Sequence, residues 1–159
     1  MKLESGGTPL RREVVRVRDL FNRAAERHER ELDARGISLA MQVDPSADVV
    51  HGDPDRLEQA LQNLVANALR HTPNGGSIAL TAAADGGDST ITVRDSGSGI
   101  SDEHLPRIFE RFYKADASRQ AAGGSGLGLS IVKAIVEMHG GTIAAHNDRG
   151  AVFELRLPR

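Results

Sequence analysis

Apolar residues recur along this chain with two different periods. Arg18–Arg35 carries Leu20, Phe21, Ala24, Ala25, His28 and Leu32 at helical spacing, which predicts a helix stopped by Gly36. Ile37–Val43 places Ile37, Leu39, Met41 and Val43 on one face at period two, a strand. Glu13–Val17 and Val49–His51 are shorter β-branched runs and read as two more strands. Asp53-Pro54 sets an N-cap before a proline at the first helical position. A helix is therefore expected over Asp53–His71, with Leu57, Ala60, Leu61, Leu64, Val65 and Ala68 as its apolar stripe. Thr72–Gly76 is a turn, and Ser77–Ala84 and Thr90–Asp95 form a hairpin around Asp85-Gly86-Gly87. Leu127–His139 is a second amphipathic helix, and Thr142–His146 and Ala151–Leu157 close the chain as a hairpin around Asn147–Gly150. These elements imply an α/β fold, a two-layer sandwich of a mixed sheet with helices on one face.

One stretch breaks the pattern. Ser96–Ser125 holds only a short amphipathic piece near Glu103–Phe109. Compact domains rarely tolerate so long a connection unless it serves as a lid or binding loop. Composition narrows the class of function. With 159 residues, 39% of them hydrophobic and 26% charged, the chain can bury one core. A net charge of -2 gives no electrostatic reason for a nucleic-acid partner. The absence of cysteine excludes disulfides and thiolate metal sites. No apolar run is long enough to span a bilayer and the first residues do not read as a signal peptide, which fits a soluble cytosolic piece.

Three clusters carry candidate chemistry. On the Asp53–His71 helix, Gln59, Asn63, Asn67 and Arg70 share one polar strip. Asn67 offers a neutral carbonyl oxygen of the hard kind that Mg²⁺ accepts, and Arg70 can reach a phosphate; both asparagines could equally face solvent. Asp95 ends a strand before Ser96-Gly97-Ser98-Gly99. Its carboxylate can accept from the amino group of adenine and repel the guanine oxygen, or simply open a turn. Gly123–Gly128 brings glycines to a helix N-terminus, where free N–H groups favour phosphate. A Walker loop is excluded, because Leu129 stands where lysine is needed. A dinucleotide fingerprint is excluded too, because this loop follows the long connection rather than an early strand. A surface loop is the bland alternative.

The order of these clusters resembles a known family. Leu61-Gln62-Asn63-Leu64-Val65-Ala66-Asn67-Ala68 looks like the N box of bacterial sensor histidine kinases, and Asp95-Ser96-Gly97-Ser98-Gly99-Ile100 resembles the G1 box. Arg107-Ile108-Phe109-Glu110-Arg111-Phe112-Tyr113 is similar to the F box, and Gly124-Ser125-Gly126-Leu127-Gly128-Leu129-Ser130-Ile131-Val132 to the G2 box. The four fall in family order across Ile37–Pro158. The resemblance implies the Bergerat fold of the GHKL superfamily, a mixed sheet under three helices that holds ATP and Mg²⁺ beneath a lid. It assigns Asn67 to the metal, Asp95 to adenine, Gly97, Gly99 and Ile100 to the nucleotide, Arg70 to the phosphates and His71 beside the nucleotide. Gly124, Ser125, Gly126, Leu127, Gly128 and Leu129 would clasp the phosphates. Phe109 and Phe112, with Arg111 between them, would anchor the lid.

In the gyrase, MutL and chaperone ATPases of that superfamily a glutamate stands where this chain has Asn63. An amide cannot take up a proton at neutral pH, so water activation should be poor. Asn63 and Arg70 are accordingly expected to serve phosphoryl transfer to a protein histidine, which is mostly positioning and charge neutralisation. That histidine is expected outside the chain, in a dimerisation and phosphotransfer domain, with relay onward to a response regulator. His28-Glu29 has the local look of an acceptor but lies within the first helix, and His51, His104, His139 and His146 lack metal-ligand spacing. Leu3-Glu4-Ser5-Gly6 resembles the end of the missing hairpin. Residues 1–9 are thus expected to be its remnant or a disordered end, and 10–159 the catalytic domain. This piece is expected to be a cytoplasmic monomer, and the full-length kinase a homodimer anchored in the cell membrane. A GHKL-type ATPase with its base elsewhere, an anti-sigma-factor-like protein kinase and a docking module with a degenerate pocket are the alternatives.

Overall fold

A computed structural model of the chain describes residues 10–111 and 128–158. Chain order is β1 (Glu13–Arg16), α1 (Val17–Arg27), α2 (Glu29–Arg35), β2 (Ser38–Val43), β3 (Val49–Gly52), α3 (Pro54–His71), β4 (Ser77–Asp85), β5 (Asp88–Asp95), α4 (Gly128–Met138), β6 (Thr142–Asn147) and β7 (Ala151–Pro158). Single 3₁₀ turns occupy Pro45–Ala47 and Leu105–Arg107. Five strands form a mixed sheet in the order β2-β4-β5-β7-β6, in which β2 runs parallel to β4 and every other pair is antiparallel. β1 and β3 make a separate antiparallel ribbon. The helices cover one face of the large sheet, the α/β sandwich that the periodicity predicts.

The core lies between these layers. Val17, Leu20, Phe21 and Ala24 of α1 are buried together with Leu57, Leu61, Leu64, Val65 and Ala68 of α3. Val132, Ile135 and Val136 of α4 meet Phe153, Leu155 and Leu157 of β7 in the same cluster. Period-two burial along β5 turns Ser89, Ile91, Val93 and Asp95 inward. Asp95 therefore reaches the helical side of the sheet as the last residue of an inward-facing row.

Element ends shift by a residue or so, Val17 for instance opening α1 rather than ending β1, and two differences are larger. The helix expected over Arg18–Arg35 is two helices, interrupted at His28 (φ −107°, ψ 10°). His28 follows the buried stripe of α1 and is itself half-buried, with Nε2 enclosed and unbonded among the described residues, so the break does not carry its ring to solvent. This break makes four helices of the expected three. The β4–β5 hairpin is also tighter than predicted: Asp85 pairs with Asp88 across Gly86-Gly87, with Gly86 at φ +62°, so β5 begins before Thr90.

Both ends of α3 are fixed by polar contacts. Asp53 Oδ1 accepts from Asp55 N (3.1 Å) and Arg56 N (3.3 Å), and its Oδ2 from Arg11 N (3.2 Å). Burial works to raise the Asp53 pKa, but these three backbone bonds and the nearby Arg11 guanidinium outweigh it, and the carboxyl titrates below its ordinary value. At the far end Arg35 donates to Leu69 O (2.7 Å), to Thr72 O and to Asn74 Oδ1 (2.8 Å), which satisfies carbonyls that the helix leaves open.

Candidate functional site

The last turns of α3, the loop after β5 and the β6–β7 turn meet at one end of the sheet. α3 supplies Asn63, Asn67, Arg70 and His71. The shared polar strip does not give them a common environment. Gln59 is exposed, Asn63 half-buried and Asn67 only 5% exposed, so the solvent-facing alternative fails for Asn67. Its Oδ1 accepts from Arg70 Nη2 at 3.2 Å. Arg70 emerges at the surface, yet burial of part of its side chain lowers its pKa from the ordinary arginine value. The basic pair Arg70 and His71 sits at the negative end of the α3 dipole.

Asp95 is buried, and its Oδ1 does two things. It accepts from Gly97 N (2.8 Å), the local bond of an Asx turn, and from Ala151 N (3.3 Å) on β7. Among the described residues its Oδ2 accepts no bond, which leaves one carboxylate oxygen for a ligand. The turn reading of Asp95 is therefore correct, and it coexists with a free acceptor. Gly97 packs directly on the end of α3, because a β-carbon there would overlap the His71 carbonyl oxygen. That contact brings the Asp95 loop to the helix end that carries Asn67. Gly99 adopts φ +86°, a conformation that favours glycine. Ile100 packs against the core.

α4 is held against α3 at both ends. Asn63 Nδ2 donates to Gly128 O (3.3 Å) at its start. At its end the buried His139 accepts from Asp53 N through Nε2 (3.0 Å) and donates from Nδ1 to Ile135 O (2.8 Å). Gly52 permits this approach, since a β-carbon there would stand 2.6 Å from the His139 ring. Among the described residues a β-carbon at Gly128 would meet nothing within 4 Å. Leu129 is half-buried against the core. Phe109 meets Phe153 edge-on, with ring centroids 6.1 Å apart at 88°. Arg111 is exposed, while Phe112, Gly124, Ser125, Gly126 and Leu127 lie outside the described residues, as do residues 1–9. A separate shallow groove between α1, α2 and β2, lined by Glu26, Glu29, Asp33 and Met41 among others, contains none of the candidate residues. Among the described residues no cluster of three or more His, Asp or Glu side chains could hold a metal ion, and no helix is long and apolar enough to cross a membrane.

Three residues of this site escaped the sequence reading. Asn147 accepts from Ile100 N at 2.8 Å and donates to Ile100 O at 2.6 Å. Gly150, at φ +129°, lies so close to the Asp95 carbonyl that a β-carbon would overlap it. Ala151 supplies the second N–H to Asp95. Asn147 and Gly150 lay in a segment whose only visible signal was a turn, and Ala151 at the start of a predicted strand.

This geometry can be set beside known proteins. Residues 52–159 match the model of the histidine kinase-, DNA gyrase B-, and HSP90-like ATPase family. The chain belongs to that family. The sensor histidine kinase CusS of Escherichia coli O6:H1 is 45% identical over 148 residues, covering 92% of this chain and 29% of CusS. The catalytic domain of histidine kinase ThkA superposes with a TM-score of 0.82 at 29% identity, over 92% of this chain and 95% of that domain. ThkA has also been solved in complex with the response regulator protein TrrA, where the TM-score is 0.78 at 28% identity over 92% of this chain and 41% of ThkA. Full-length ShkA in complex with AMPPNP superposes with a TM-score of 0.80 at 32% identity, over 92% of this chain and 31% of ShkA. The fold is that of histidine kinase catalytic domains. The chain spans under a third of the length of CusS, so it corresponds to one part of such a protein.

Proposed function

We propose that the chain is the part of a sensor histidine kinase that binds Mg-ATP and passes the γ-phosphoryl group to a histidine outside it. In that transfer the bond between the γ-phosphorus and the bridging oxygen breaks, a phosphorus–nitrogen bond forms on the acceptor imidazole, and ADP leaves. The observation that carries the reading is the contact of Gly97 with the His71 carbonyl. It joins a buried carboxylate with an open oxygen to the helix end that bears a buried amide oxygen. Asp95 Oδ2 would then accept from the adenine amino group, and Asn67 Oδ1 would hold the metal beside the phosphates. A single neutral amide fits Mg²⁺, which takes one or two protein oxygens and completes its shell from phosphate and water. Release of Asn67 Oδ1 from Arg70 would free the guanidinium for a phosphate. Phe109 packs on Phe153, and the resemblance assigns Arg111, Phe112 and Gly124–Leu129 to the nucleotide.

Asn63 favours transfer over hydrolysis. Its carboxamide nitrogen is engaged with Gly128 O, and neither end of an amide can accept a proton from water at neutral pH. The acceptor domain, the homodimer it builds, the response regulator and the membrane anchor belong to this proposal for the whole kinase. The complexes of ShkA with AMPPNP and of ThkA with TrrA support it by likeness.

Thermal unfolding tests the nucleotide site. At a hundredfold excess over Kd a ligand adds about 2.7 kcal/mol of stability, roughly 5–10 °C in Tm for a domain of this size. Mg-ATP should produce that shift at concentrations where Mg-GTP produces little. Asn67→Ala should weaken ATP binding when Mg²⁺ is present and leave metal-free binding unchanged. Equal shifts from the two nucleotides would remove Asp95 as the base reader.

A further inference from the structure

We propose that Asn147 is a positioning residue for the base-binding loop, and that the β6–β7 turn sets how selectively the site reads its purine. The inference rests on the reading of Asp95–Ile100 as the adenine loop and goes beyond it by naming what holds that loop. Asn147 ends edge strand β6, where it pairs with Ala151. Its carboxamide bonds both polar atoms of the Ile100 backbone, as an adjacent strand would: Oδ1 accepts from Ile100 N at 2.8 Å and Nδ2 donates to Ile100 O at 2.6 Å. One acceptor and one donor are needed side by side, and a carboxamide offers both in one plane without a change of protonation. The amide also stacks against Gly99, where a β-carbon would meet Asn147 Oδ1 at 2.7 Å. Gly99, at φ +86°, thus lies directly against the Asn147 carboxamide.

The turn that carries Asn147 is itself tied down. Arg94 on β5 donates to Asp148 O (2.9 Å) and lies 3.3 Å from the Asp148 carboxylate, and Asp148 N donates to Gly150 O (2.8 Å). Two residues on, Gly150 abuts the Asp95 carbonyl and Ala151 N bonds the Asp95 carboxylate. One rigid turn therefore grips the loop at both ends, Asp95 at its start and Ile100 at its finish. Selection between adenine and guanine depends on where the Asp95 oxygen sits to within a few tenths of an ångström, so a loosened loop loses discrimination before it loses the fold.

The test compares the unsubstituted chain with Asn147→Ala and Asn147→Asp. The aspartate keeps the shape and the bond from Ile100 N, but it turns an oxygen toward Ile100 O where a donor is required. Isothermal titration with Mg-ATP and Mg-GTP reads base selection, and amide hydrogen exchange at Gly99 and Ile100 reads the clamp. Each variant should weaken ATP binding about tenfold, the loss expected from one to two hydrogen bonds, and should narrow the ratio of ATP to GTP affinity. Exchange at Ile100 should accelerate, and the ligand-free Tm should fall by only a few degrees, as expected for one to two hydrogen bonds lost from a loop that stays folded. A fall in both affinities by the same factor would mark Asn147 as merely structural and overturn the proposal. So would unchanged ATP affinity in both variants, with adenine still bound by the unsubstituted chain. Failure of the unsubstituted chain to prefer ATP would instead strike the adenine reading itself, and the positioning role with it.

Discussion

Replacing Asp95 by asparagine isolates one atom. Oδ1 of the aspartate accepts from Gly97 N and Ala151 N, and an asparagine oxygen can keep both bonds. The change falls on Oδ2, which becomes an amino group. In the ligand-free protein the cost is confined to the weakening of two charge-assisted bonds into neutral ones, about 1 kcal/mol, or roughly 2–4 °C in Tm. In the complex the cost is larger. The adenine amino group would face a donor where it had an anionic acceptor, and the loss of a hydrogen bond to a charged group is worth about 1.5–3 kcal/mol. That corresponds to about a ten- to hundredfold loss of ATP affinity. The guanine oxygen would gain a donor at the same place, so GTP affinity should stay level or rise. Titration calorimetry with both nucleotides reads the two effects, and a thermal melt without nucleotide reads the fold. Equal loss of both nucleotides, or loss of the folded state, would refute the argument, because either outcome means that Oδ1 and not Oδ2 carries the function of Asp95.

Two further perturbations probe the surroundings. Gly97→Ala forces a β-carbon into the His71 carbonyl, which must move the loop away from α3. Overpacking of this kind costs roughly 1–3 kcal/mol, so Tm should fall by several degrees and ATP binding should vanish; a variant that binds ATP normally would mean the contact is not needed. His28 tests acid sensitivity. Burial, and after it the neighbouring Arg27, push the His28 pKa below its ordinary value against the opposing pull of Glu31 and the Gln62 backbone. The unfolded chain therefore takes up this proton first as pH falls. Stability is complete above the unfolded pKa of about 6.5 and declines with acidification until the folded form also protonates. His28→Gln should flatten the dependence of Tm on pH between about 7.5 and 5, and an unchanged slope would place the acid sensitivity elsewhere.

What was legible in the sequence and what was not divides along a physical line. The start of α3 could be read because an N-cap and a proline act on their immediate neighbours, and Asp53 does bond Asp55 N and Arg56 N. The strands could be read because alternation is a local pattern. The α1–α2 break could not, because His28 falls on the apolar spacing and neither a glycine nor a proline marks the interruption. Equal polarity along α3 likewise hid the difference between exposed Gln59 and buried Asn67, which is set by tertiary packing and not by the helix itself. Arg35 gave no sign that it caps α3, since its carbonyl partners lie 34 and 37 residues away.

The candidate site repeats that division within a single loop. Asp95, Gly97 and Gly99 could be singled out because each answers a local demand, for a turn acceptor, a close approach or a positive φ. Asn147 answers a demand made 47 residues earlier, by the backbone of Ile100, and Gly150 one made by the carbonyl of Asp95. The residues that would touch the nucleotide and the residues that aim them therefore come from different parts of the chain. The antiparallel pairing of β5 with β7 is what joins them, since it sets Ala151 beside Asp95 and leaves Asn147 opposite Ala151 on β6. A register slip of one residue in that pairing would turn Asp95 out of the helical face and separate it from Ala151 N at once. The sheet thus does more than fill the core. It fixes the Asp95 carboxylate relative to the helix end, and if Asp95 reads the purine as proposed, the geometry of that selection would follow from strand register.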